Sequence, residues 1–317
     1  MLSPLPPFLD LRTATLPATF AGALQGYRHH TDHGAGWRFV HHKRWYYVGA
    51  STADVYVGAA IVDLGYAGKG FVYVFDRAAK RFVAHASILV PAGPWLRLAH
   101  QDDGRGSASL HAPRVALALS RTVDGHVTFS AHTKDLRLRL FLSATEAQAF
   151  ASATALAGGG TNLTEKTLAM QTSGEIHAGG KTYPLNGAGG VDFTDGLLPR
   201  HTTWRWAFFN QGRVGLNLVQ DWNGAAECVL SAHGQLEHLG EAVIDFDRDA
   251  PEKPWHVSTR CGRIDLRFEP LAVHRESQDL KLVRSRFIQP VGIFSGRAGD
   301  HTIAGALGVC EDQDVLW

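Results

Sequence analysis

The sequence predicts an all-β protein, two antiparallel barrels or sandwiches side by side with little helix, and three observations predict it. Short aromatic and β-branched runs recur along nearly the whole chain, each bounded by Gly, Asp or Pro. One Ala/Gly-rich stretch near the middle divides an earlier series of runs from a later one. No fixed-period repeat relates the two series, so any kinship between them lies in the fold.

Residues 37–48, 54–63, 70–76 and 81–90 read as consecutive antiparallel strands. The series continues through 114–120 and 126–132, joined across Asp124-Gly125, a dipeptide that supplies the positive φ of a tight hairpin. Leu136 to Leu140 alternates strictly, so its leucines meet a core while Arg137 and Arg139 face away. Between Ser143 and Gly160 the alanines favour a helix or a loose connection, closed by a glycine triplet. A boundary is therefore placed there, giving units 1–160 and 161–317. The second series runs through 173–177, 202–209, 214–220, 226–230, 242–246, 255–259, 264–268, 286–295 and 303–310.

At 317 residues, 45% hydrophobic and 19% charged, the chain can bury a sizeable core. A formal net charge of +1 with interspersed signs gives no field for nucleic acid. No run of about 18 apolar residues is present, so no membrane-spanning helix is expected. The opening Met1-Leu-Ser-Pro-Leu-Pro-Pro-Phe8 lacks the pattern of a signal peptide, and a cytoplasmic location is expected. Cys228, Cys261 and Cys310 are an odd, widely spaced set in strand-like runs, expected to be inert buried thiols. Phosphate-loop, dinucleotide and serine-elbow signatures are missing, which disfavours nucleotide cofactors and serine hydrolysis, and no cofactor is expected. The 17 histidines include His29-His30-x-x-His33 and His41-His42. Adjacent strand residues point to opposite faces and no Cys or carboxylate completes either cluster, so no metal site is expected. The oligomeric state is left open.

Lys43-Arg44-Trp45-Tyr46-Tyr47, Val191-Asp192-Phe193-Thr194, Thr203-Trp204-Arg205-Trp206, Gly215-Leu216-Asn217-Leu218, Pro254-Trp255-His256, 265–270 and the ending 289–296 with 308–317 resemble the bacterial domain-of-unknown-function family 2804 over nearly the whole chain. That family is similar to the lipocalin-like carotenoid hydratases, tocopherol cyclases, AttH-like proteins and certain fungal cyclases. The resemblance implies two lipocalin-like barrels, a hydrophobic small-molecule ligand and acid-assisted addition or ring closure at a carbon–carbon double bond. The hydratase-like relatives carry an acid in a Trp-x-Asp-x-x-Trp stretch. Here the comparable segment is Trp204-Arg205-Trp206-Ala207-Phe208, without that acid, so either another carboxylate carries the chemistry or this branch does something different.

An acid acting on an unactivated apolar substrate must stay protonated near neutral pH, which burial achieves, and the cation it makes needs aromatic faces. Asp192, beside the glycines 187–190, and Glu311, closing an apolar strand, suit that role best; a capped turn and an ion pair with Arg205 are their structural alternatives. His201, just before the Trp-rich strand, is the candidate base. Trp204 and Trp206 share a strand face, so they form either a ligand wall or the packing between halves. With Asn217, Gln289, Trp45 and Tyr47 they are the expected substrate-binding set. The leading expectation is a hydratase, isomerase or cyclase for an apolar or terpenoid-like molecule. A non-catalytic lipid or pigment carrier would show the same lining without a buried protonated acid, and a carbohydrate-acting protein would show an open wet groove between two carboxyls.

Overall fold

The computed structural model of the chain describes residues 2–279, 281 and 283–317. Two antiparallel sheets dominate it: a nearly closed barrel of the first two-thirds of the chain and a half-barrel of the last third. In spatial order the first sheet begins Arg81–Pro91, Ala67–Asp76, Val55–Asp63, His42–Ser51, Gly187–Leu197 and Thr161–Ala178, then continues through Leu136–Ser143 to Leu96–His100. The second sheet has His201–Gln211, His301–Leu316 and Arg284–Ala298 at its centre, with Val214–Gln220 on one side and Ile264–Asp279 on the other. The Asp124-Gly125 hairpin forms as expected, with Gly125 at φ 80°.

The change of sheet falls between Leu197 and His201. Residues 161–197, expected in the second unit, supply two of the longest strands of the first sheet. The alanine run is also a strand, Ala149–Ala155, paired with Thr161–Ala178 and with Ala18–Ala21. Its Ala151 and Ala153 are fully buried, so small side chains serve close sheet packing here instead of helix propensity. Residues 37–41, expected to open a strand, lie instead in a short helix, Ala35–His41. Trp37 stacks between His33, just before the helix, and His41, four residues on along the same helical face, at centroid distances of 4.2 and 4.1 Å. Cys228 and Cys310 are buried, and burial pushes the Cys228 thiol up to about 11. Cys261 is exposed, because it lies in the turn after Trp255–Thr259 and not in a strand.

Period-two alternation gives each seam strand two tasks. Tyr46, Val48, Val191 and Phe193 point into the core of the first barrel, and Ala207, Phe209, Leu216 and Leu218 into that of the second. The alternate residues, among them Tyr47, Phe71, Tyr73, Trp206, Phe208 and Phe287, press the sheets together in a third apolar cluster. Gly49 and Gly190 face each other across adjacent strands. A Cβ on either would lie 2.6 or 2.9 Å from the Phe208 ring, so these glycines let the second sheet seat against the first.

Candidate active site between the sheets

The seam is not filled along its whole length. A cavity of 360 Å³ opens between the sheets, within the range of small-molecule sites. Trp45, Tyr47, Val62 and Phe71 wall it from the first sheet, and Trp204, Trp206, Val219 and Phe287 from the second, with Trp222 and Trp317 beside them. The Trp45 and Trp204 rings lie nearly parallel, 6.1 Å apart, one from each sheet. Tyr47 meets Trp206 edge to face at 5.0 Å. The two roles considered for Trp204 and Trp206 thus coincide, because their strand face is both the packing between halves and a cavity wall.

Polar chemistry enters this apolar chamber in two groups. Glu311, 5% exposed, accepts hydrogen bonds from Trp204 Nε1 and Gln289 Nε2, both at 2.7 Å. Gln289 Oε1 in turn accepts from the Tyr73 hydroxyl. Burial pushes the Glu311 carboxyl up to about 7, and the negative charge of Asp192 adds to the rise; the two donors and the Lys166 ammonium act the other way and do not cancel it. Glu311 thus holds its proton to a much higher pH than an exposed carboxyl does.

The second group lies on the first sheet. Tyr47, Asp192 and Lys166 stand directly opposite one another on three adjacent strands. The Lys166 ammonium sits 2.7 Å from Asp192 Oδ2 and 3.0 Å from Glu227 Oε2, and all three side chains are buried. Burial alone would lower the lysine; the two carboxylates outweigh it and hold the ammonium charged. Burial pushes Glu227 up, with Lys166 opposing. Thr164 and Thr194 donate to Asp192 Oδ1 at 3.2 and 3.3 Å, and Asn162 and Asn223 donate to Glu227 Oε1. Asn217 couples the group to the wall: its Oδ1 accepts from Trp206 Nε1 at 2.7 Å, and its Nδ2 donates to the Glu227 carbonyl at 2.6 Å.

Asp192, Glu311, Trp45, Tyr47, Trp204 and Trp206 line the cavity, and Gln289 and Asn217 stand behind it. Asp192 lies within a strand and caps no turn, and Arg205 reaches toward Asp312 at 3.5 Å, not Glu311, because residues 311 and 312 alternate in direction. His201 lies outside the cavity, 63% exposed in its side chain and 2.9 Å from Asp314 at the surface. His29 and His42 converge on Asp195, at 2.9 and 2.7 Å, on the opposite face of its strand from Asp192.

Lys166 and Glu227 escaped the sequence reading. Asn162, Thr164 and Lys166 alternate as one strand face should, but the second series of strands was begun only at residue 173. Glu227 lies in a turn without periodicity.

A family model described as Domain of unknown function (DUF2804) matches residues 21–317. Among solved structures, an AttH-like protein from Nitrosomonas europaea aligns with a TM-score of 0.55 at 14% identity, covering 86% of this chain and 92% of that one. CghA aligns with a TM-score of 0.52 at 9% identity, covering 87% and 88%. Kievitone hydratase from Nectria haematococca aligns with a TM-score of 0.48 at 10% identity, covering 94% and 98%. Comparison with curated proteins finds no match. The first two likenesses show a shared fold over most of each chain.

Proposed function

The chain belongs to the DUF2804 family, and from its cavity we propose that it is an enzyme performing acid–base chemistry on an apolar or terpenoid-like small molecule, as a hydratase, isomerase or cyclase. The observation that carries this reading is Glu311: a carboxyl raised to about 7 inside an aromatic chamber. A merely structural carboxylate gains nothing from such a setting, whereas a general acid needs a proton available near neutral pH.

Glu311 gives its proton to a carbon of a substrate double bond, and the carboxylate left behind is held by Trp204 and Gln289. The carbocation formed faces the indoles of Trp204 and Trp206, whose ring faces are electron-rich. Capture by water completes a hydration, proton loss an isomerisation, and attack by an internal double bond a cyclisation. Asp192, on the opposite wall and oriented by Lys166, accepts the proton that leaves. The distant similarity of the DUF2804 family to carotenoid hydratases and tocopherol cyclases supports the same chemistry.

Native mass spectrometry and solvent extraction of the purified protein identify the molecule that fills the cavity. It is then incubated with the protein and with Glu311→Gln. Conversion by the parent protein, lost in a variant that still binds, is the expected result. A bound molecule recovered unchanged from the parent protein would mean that the cavity carries its ligand without converting it.

A further inference from the structure

A second constellation lies where the edge of the first sheet meets the second sheet. His85 is an exposed residue of Arg81–Pro91, and His274 and Glu276 sit two apart on Ile264–Asp279, so both point to one face. His85 Nε2 and His274 Nε2 are 3.0 Å apart, and Glu276 Oε1 is 3.2 Å from His274 Nε2. The three ligand atoms all lie within 4.8 Å of one another.

Cis ligands on one ion at bond lengths of about 2.0–2.2 Å stand roughly 3 to 3.5 Å apart, which both contacts meet. One proton on His274 Nε2 cannot satisfy two lone-pair neighbours well. A cation is the partner common to all three atoms. The surroundings suit one. His274 is buried and its ring is held among Phe71, Tyr73, Phe82 and Phe287, so its direction is fixed. Lys69 takes the other Glu276 oxygen at 2.5 Å, leaving Oε1 as a single ligand atom and holding the carboxylate in place. The exposure of His85 leaves an open side for water as the fourth ligand.

We propose that His85, His274 and Glu276 form a binding site for a divalent zinc-class cation that clips the edge strand of the first sheet to the second. Two imidazoles and one carboxylate favour zinc over calcium or magnesium, which prefer oxygen. His274 stands opposite Gln289 in the sheet and 5.1 Å from the Tyr73 ring, so the clip also secures the chain of groups that ends at Glu311.

The test titrates EDTA-treated full-length protein with zinc chloride, by calorimetry and by thermal unfolding, beside His85→Ala and Glu276→Gln. His85 is exposed, so its replacement leaves the fold intact. The expected result is saturable binding of one equivalent, a zinc-dependent rise in the unfolding midpoint, and an affinity lower by at least about tenfold in each variant. Absence of saturable binding would overturn the proposal. So would binding unchanged in His85→Ala, which would assign the zinc to other histidines.

Discussion

The indole nitrogen of Trp204 donates to Glu311 Oε1 at 2.7 Å, across neighbouring strands of the second sheet. The bond makes one side chain both wall and regulator, since it favours the ionised acid while burial opposes ionisation. Trp204→Phe keeps most of the apolar wall and removes the donor. The titration of Glu311 should move above its present value of about 7, with the pH dependence of turnover moving the same way. An unshifted profile would separate the indole from the acid.

Glu311 also makes stability depend on pH, with a definite sign. Its folded pKa of about 7 lies above the ordinary 4.5, so between these values the unfolded chain has released a proton that the folded chain retains. The contribution is full below the ordinary value and is lost as pH rises through about 7. Glu311→Gln has no proton to lose. Relative to the parent protein it should gain up to about 3 kcal/mol between acid and mildly alkaline pH, read from urea unfolding curves at both ends.

Lys166 holds two buried carboxylates apart from open conflict. Lys166→Met leaves Asp192 and Glu227 facing each other without a cation, and the loss should be about 3–5 kcal/mol, typical of breaking a buried pair. Adding Asp192→Asn and Glu227→Gln should restore part of it, because the uncompensated charge is the source of the penalty. Equilibrium denaturation of the single and triple variants checks this.

His201 offers the converse test. Its side chain is exposed and its partner Asp314 is at the surface, so His201→Ala should leave both the unfolding midpoint and turnover unchanged. A large loss of turnover would return this histidine to the reaction.

Much of this arrangement was legible in particular residues. Alternation placed Trp204 and Trp206 on one face, and a lone acid at the end of an apolar strand marked Glu311. The Ala149–Ala155 strand was hidden because small residues carry helix propensity, while their use as close-packing strand residues depends on neighbours that only the fold supplies. Lys166 was passed over because the strands of the second series were begun only at residue 173, although Thr161–Ala178 is one continuous strand. Glu227 and the His85–His274 contact join residues far apart in the chain, and no local period encodes such a meeting. His201 was placed near the site by its nearness in sequence to Trp204, but the strand between them carries it out to the rim.

The most direct measurement is the titration of the Glu311 carboxyl itself, by infrared difference spectra of the parent protein minus Glu311→Gln across the acid-to-alkaline range. A protonated-carboxyl band that disappears with a midpoint near 7 is the predicted result. A midpoint near the ordinary 4.5 would show an acid already ionised at neutral pH, and the proposed proton donation would fail.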